Sequence, residues 1–311
     1  MSAEGGTKAI VAALLANLGI AVTKFLAFLL TRSSSMLAES IHSVADASNQ
    51  VLLLVGKKRS ERDATPLHPF GYGRERYIYA FIVAIVLFSV GGLFALYEGW
   101  HKIQEPHAFE RWQWVPVTVL VVAIVLESFS FRTAIVEANK VRNGASWVAF
   151  VRRARSPELP VILLEDLAAL LGLVLALIGV SLTLITHNGV WDGIGSVAIG
   201  LLLVCVAVVL AAEMKSLLIG ESATSEQEQA IERAIAAEPL VDRIIHMKTL
   251  HLGPEQLLVA AKIAVAASDS AHQVAAAIDA VEERIRAEVP ISTVIYLEPD
   301  LDRAASTADG R

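Results

Sequence analysis

AESIHSVADASNQ, residues 38–50, stands inside a segment that is otherwise apolar from Leu37 to Gly56. A bilayer core about 30 Å thick is crossed by about 20 residues of helix, so the whole segment is long enough to span it. Yet it carries Glu39, His42, Asp46, Asn49 and Gln50. His42 and Asp46 are four residues apart and share one helix face. Glu39 and Gln50 extend that face by about a turn each way, and Asn49 lies beside it. A lipid-facing helix does not tolerate such a row, because polar groups at membrane depth turn toward a bundle interior or a wet cavity. The stretch therefore reads as one member of a helical bundle, with its polar face inward.

The rest of the chain supplies the partners. Apolar runs at roughly 8–31, 78–101, 114–137, 160–185 and 190–212 join 37–56 to give a six-helix transmembrane bundle. Of the 311 residues, 55% are hydrophobic, and the excess is concentrated before residue 217, so the last third reads as an ordinary soluble domain. We expect a transmembrane domain over 1–217, a soluble domain over 218–300 and a disordered tail over 301–311. The opening MSAEGGTKAI has no cleavage-site pattern and reads as the start of a retained first helix. The lone Cys205 lies in an apolar run, where a free thiol is a small packing residue.

Charge orients the bundle. The loop 57–76 carries Lys57, Lys58, Arg59, Arg62, Arg74 and Arg76, and the loop 138–158 carries Lys140, Arg142, Arg152, Arg153 and Arg155. The opposite side has Arg32, Lys102 and Arg111. Basic loops stay inside, so both termini are expected in the cytoplasm. A net charge of -6 gives no basic surface for nucleic acid. The chain has no GxxxxGK[ST] loop for ATP-driven pumping and no H-E-x-x-H pair for an intramembrane enzyme.

From Glu221 the chain turns charged and alanine-rich. SEQEQAIERAIAAEP has helical periodicity, with Ser225 as the expected N-cap. VDRIIHMKTLHLG and EQLLVAAKIAVAA read as two strands, SAHQVAAAIDAVEERIRAEV as a second helix and STVIYLEP as a last strand. The order α-β-β-α-β is a two-layer, ferredoxin-like α+β domain.

Imidazole and carboxylate at i, i+4 form a borderline ligand set suited to Zn²⁺, and also to Mn²⁺, Fe²⁺ or Co²⁺. An uncompensated buried carboxylate costs several kcal/mol, so a cation or proton is expected beside Asp46. Glu165 and Asp166 open the fifth span about 100° apart, so the two need not point the same way. Asp166 is the better ligand because Ala169 and Leu173 continue its face. Glu165 is a second ligand, a proton acceptor or the partner of another polar group, the plain alternative being an ion pair with Arg153 or Arg155. Glu127 interrupts the fourth span as a candidate for the ion path. Glu98 and His101, three apart near the end of the third span, could bind metal but read first as residues of the outer interface.

Taken together these pieces resemble the cation diffusion facilitator family. The matching features are His42-x-x-x-Asp46, the loop HPFGYGRER at 68–76, YEGWHKI at 97–103, the acidic motif on the fifth span, WDGIGSVAIG on the sixth and the α-β-β-α-β tail. The SNQ after Asp46 and LLED at 163–166 look most like the branch of the zinc-transporter-nine-like proteins. The resemblance implies a homodimer in the lipid bilayer, held partly by the cytoplasmic domain. It implies export of a divalent cation, zinc first, in exchange for protons, with no resident cofactor. If the source is bacterial, the inner membrane is implied.

The family's intramembrane site uses two ligands four apart on the second helix and two on the fifth. His42, Asp46 and Asp166 match, while the remaining position falls on Ile162, which coordinates nothing. The fourth ligand must then come from Glu165, Asn49, Gln50, water or another helix. On the loop, His68 remains of the family's second site, Asp63 is displaced and Tyr72 stands where a second histidine is common. His246 and His251 are the histidines of the soluble strands, five apart, so weak or no metal binding is expected there. The alternatives are an exporter of the same fold selective for Mn²⁺, Fe²⁺ or Co²⁺, and a membrane scaffold or sensor that transports nothing.

Overall fold

The computed structural model describes residues 2–31, 34–106, 114–142 and 144–301; within these, the side chains of residues 2–8, 27, 28, 30, 31, 34–42 and 45 lie outside the description. Of the expected tail, 301–311, Leu301 is the last residue of the final strand and 302–311 lie outside the description. Two compact units emerge: Met1–Glu61 with Glu75–Lys215, and Arg62–Arg74 with Ser216–Arg311.

The first unit is helical. It contains α1 (Ser2–Thr31), α2 (Ser34–Ser60), α3 (Glu75–Val86), α4 (Phe94–Gln104), α5 (Trp114–Val141), the short α6 (Trp147–Arg153), α7 (Glu158–Thr186) and α8 (Val190–Ile219). A π-helical segment, Leu87–Leu93, joins α3 to α4 without a break, so Glu75–Gln104 is one rod. Five of the long helices are apolar enough to cross a membrane among the described residues. In α2 the polar row of residues 39–50 lowers mean hydropathy. Of the row's described side chains, Ser43, Asn49 and Gln50 are buried, Asp46 is half-buried and Ser48 is exposed. The π segment was not legible in advance. It falls at the pair Gly91-Gly92 and beside the cavity described below, a frequent setting for such bulges.

In lipid there is no hydrophobic drive between helices, so close backbone packing has to hold them. α4 and α8 meet through glycine. A Cβ at Gly99 would lie 2.7 Å from the Val197 nitrogen and 2.9 Å from the Gly193 carbonyl oxygen. A larger residue at either glycine forces the helices apart.

The second unit contains α9 (Ser225–Ala236), β1 (Arg243–Gly253), β2 (Gln256–Val265), α10 (Ala271–Glu288) and β3 (Ser292–Leu301). The sheet order is β1-β2-β3, with β1 antiparallel and β3 parallel to β2. The parallel pair requires a crossover, and α10 provides it. Ile231 and Ile235 of α9 and Val281 and Ile285 of α10 pack on Leu257, Val259 and Ile263 of β2. The expected element order is observed.

One local expectation is corrected. The cap of α9 is Thr224, not Ser225: Gln227 N donates to Thr224 Oγ1, and Thr224 N donates to Gln227 Oε1. This reciprocal box satisfies two orphan donors at once. Thr224→Ala should cost about 1 kcal/mol. Hydrogen exchange on the full chain should show α9 amides exchanging about fivefold faster if opening is local.

Arg62–Arg74 belongs to this second unit although it lies far away in sequence. The contact is backbone on backbone: a Cβ at Gly73 would sit 2.9 Å from the Leu252 carbonyl oxygen and 3.0 Å from Gly253 Cα. The Arg62 guanidinium lies over the Tyr72 ring, 4.5 Å from its centroid.

Candidate functional site

Within the helical unit a cavity of about 180 Å³ is walled by α1, α2, the α3–α4 rod, α5, α7 and α8. Its charged and polar lining includes Lys24, Asp46, Glu98, Lys102, Glu127, Glu165 and Asp192. Asp46 is half-buried, whereas Lys24, Glu127, Glu165 and Asp166 are all 5% exposed or less.

The neighbours Glu165 and Asp166 diverge as helix geometry dictates. Glu165 turns to α2, where Asn49 Nδ2 donates to Oε1 at 2.8 Å and Gln50 Nε2 donates to Oε2 at 3.1 Å. Gln50 is fixed from its other side, its Oε1 accepting from Asn17 Nδ2 at 3.3 Å. Asp166 turns to α5, where Ser130 Oγ donates to Oδ2 at 2.7 Å. Of the readings open for Glu165, the structure shows the partner of polar groups, with amides in place of Arg153 or Arg155. Asn49 and Gln50 spend their donors on that carboxylate.

Two acceptors remain. Asp166 Oδ1 and Asn49 Oδ1 are buried and meet no hydrogen-bond donor among the described residues. A buried acceptor left in this way costs about 1–3 kcal/mol, more when charged. Oxygen atoms of this kind fit a divalent cation, which would satisfy them by coordination. Among the described residues no three His, Cys, Asp or Glu side chains come together as a ready-made metal cluster. The side chains of His42 and Glu39, both on α2, lie outside the described residues.

Lys24 was not singled out from the sequence. It stands in the apolar run of α1, is 5% exposed, and its Nζ donates to Ser43 Oγ at 3.0 Å, next to His42 in sequence. The signal was its position, since a lysine in the middle of a span must face the interior. Glu98 lines the cavity, whereas the sequence had placed it at the interface; His101 is exposed as expected. One turn beyond Glu98, Lys102 pairs with Asp192 at 2.9 Å. These residues belong to the C-terminal end of α4 and the N-terminal end of α8, so the cavity runs from the bundle's middle toward that end.

A buried ion pair stands toward the opposite end. Arg76, at the start of α3, forms an ion pair with Glu158, at the start of α7, and both side chains are buried. Beside it Tyr77 Oη donates to the Arg155 carbonyl at 3.1 Å. The loop candidate His68 is not part of this cavity; it is exposed, with its ring 4.8 Å from that of Tyr72. In the second unit His251 is buried, with Nδ1 against the Gly253 carbonyl, while His246 is exposed.

Residues 10–219 match the family profile described as the cation efflux transmembrane domain. The chain belongs to the cation efflux family. The mitochondrial proton-coupled zinc antiporter SLC30A9 of Xenopus laevis is 32% identical over 265 residues, which is 85% of this chain and 47% of that protein. Its Homo sapiens counterpart is 35% identical over 232 residues, 74% of this chain and 41% of that protein. This chain thus spans less than half the length of these relatives. The cation-efflux pump FieF of Pectobacterium atrosepticum is 25% identical over 315 residues, 98% of this chain and 96% of that protein. The likeness to the SLC30A9 proteins puts the chain near that branch of the family. A cation efflux bundle with apolar helices of this length is a multi-pass membrane protein.

Proposed function

We propose that this protein exports a divalent cation, Zn²⁺ first, from the cytoplasm in exchange for protons. The observation that carries the reading is the buried, unsatisfied Asp166 Oδ1, next in sequence to the Glu165 that Asn49 and Gln50 hold. His42, Asp46 and Asp166 are the proposed ligands and proton carriers. Asn49 Oδ1 is a further oxygen donor, and Glu165 and Gln50 hold it in place. Ligands bind metal only when deprotonated, so uptake from the cytoplasm releases protons. Protonation from the far side then competes with the ion and lets it leave, with His42 the group suited to titrate near neutral pH.

The basic loops put both termini in the cytoplasm. In that orientation the Arg76–Glu158 pair closes the inner side and the cavity faces outward, the release state of an alternating-access cycle. A homodimer, joined partly through the soluble domain, is the assembly we favour. In that domain His251 is spent on packing, so we assign no metal site to it. In a bacterium the protein would lie in the inner membrane.

Reconstituted full-length protein should accumulate Zn²⁺ in vesicles when the lumen, facing the cavity end, is acidic, and collapsing the proton gradient should stop uptake. Zinc flux indifferent to that gradient overturns proton exchange. A second reading, Mn²⁺ or Fe²⁺ as cargo, draws on the oxygen-rich lining and on Ile162, since carboxylate and carbonyl donors suit harder ions. Competition among Zn²⁺, Mn²⁺, Fe²⁺ and Co²⁺ in the same vesicles separates the two.

A further inference from the structure

Glu127 is an acid without a visible reason to be where it is. It sits in the middle of α5, is 2% exposed and lines the cavity. Among the described residues its carboxylate makes no hydrogen bond. Glu137 on the same helix is buried too, but Lys140 bonds it at 2.6 Å. Glu165 has two amide donors and Asp166 has Ser130. Burying a carboxylate costs several kcal/mol unless something compensates it. Asp46, Glu165 and Lys24 line the same cavity.

Helix register says where the carboxylate stands relative to the proposed site. Glu127 and Ser130 are three residues apart and share a face of α5. Ser130 holds Asp166, so Glu127 lies about one turn, roughly 5 Å, from the level of that contact. The turn leads toward the N-terminal end of α5. α5 and α7 are successive long helices, joined through the short α6, and they run antiparallel, so the N-terminal end of α5 lies beside the C-terminal end of α7. That is the direction in which the cavity extends, away from Glu158.

We infer that Glu127 is a ligand of the transported divalent cation, placed on the release side of Asp46 and Asp166, where it takes the ion over from them instead of closing one cluster with them. This rests on the cation-transport reading above and deepens it. Ile162 is fully buried and lies one turn from Asp166 toward the Arg76–Glu158 end, whereas Glu127 stands about one turn from the level of Asp166 in the other direction. An oxygen ligand in the outward cavity gives the ion a second foothold after it leaves Asp166. Lys24 shares that wall and lowers the field the ion must escape.

The test is Zn²⁺ binding to full-length protein in nanodiscs, at fixed pH and ionic strength, for wild type, Glu127→Gln, Glu127→Asp and Asp166→Asn. Glu127→Gln keeps shape and removes the charge. We expect its affinity to fall by at least about tenfold, the size of a 1.4 kcal/mol loss. Glu127→Asp keeps the charge and shortens its reach, and should fall between the two; it also stands in if the glutamine variant fails to fold. Wild-type affinity in both Glu127 variants, alongside lost binding in Asp166→Asn, would overturn the inference and leave the transport site standing. Wild-type affinity in Asp166→Asn would overturn the transport site itself.

Discussion

Asp166→Asn should reduce Zn²⁺ flux in proteoliposomes to the background of empty vesicles. The asparagine keeps the acceptor for Ser130 and changes little in volume, so the helix packing survives. What goes is a unit charge at a buried position only 1% exposed. Two unit charges 4 Å apart interact by about 4 kcal/mol at an effective dielectric of 20, and a dication doubles that. Desolvation cancels much of the gain, yet a net loss of about 3 kcal/mol is a hundredfold in affinity. The bundle itself should persist, because no apolar contact is removed. Detergent-solubilised variant protein with wild-type melting behaviour and no metal-dependent stabilisation is the expected pair of observations. Wild-type flux would remove Asp166 from the transport path.

The second large effect is structural. Arg76 and Glu158 are both nearly inaccessible, and they tie the start of α3 to the start of α7. Removing one partner of a buried pair typically costs 3–5 kcal/mol, because a desolvated charge is left behind. Glu158→Ala should therefore lower the thermal stability of the solubilised protein sharply. The double variant Arg76→Met with Glu158→Leu replaces both charges by apolar groups and should recover most of the loss. If the double variant is as unstable as the single one, the pair is not what holds that end closed. The recovered variant also reports on transport: a seal that cannot reform as an ion pair should slow the cycle even when the fold is intact.

The polar row on α2 was legible because a span of that length has to be explained, and bundle, cavity and α-β-β-α-β tail all followed from hydrophobic pattern. Glu165 and Asp166 were legible as a diverging pair, since neighbours on a helix differ by 100°, but their partners were not. Nothing in one chain's pattern says that α2 supplies two amides to Glu165 while α5 supplies a hydroxyl to Asp166. Those facts depend on helix rotation, which packing sets. Lys24 was overlooked for a related reason: a single lysine in an apolar run hardly changes a hydropathy window, although its burial makes it conspicuous in three dimensions. Glu98 was assigned to the interface from its place near a helix end, and the cavity's extent toward α8 reversed that. The π segment and the docking of Arg62–Arg74 onto the soluble unit rest on glycines at close approach, whose partners lie far away in sequence.

The claim on which the rest depends is that a transported ion sits among the acids of the α2–α5–α7 cavity. Anomalous scattering at the zinc absorption edge, from crystals of the full chain grown with Zn²⁺, tests it most directly. The account predicts a peak about 2.0–2.2 Å from carboxylate oxygens of Asp46 and Asp166. Zinc bound only at the soluble unit or at His68, with the cavity acids making no contact to metal, would contradict it.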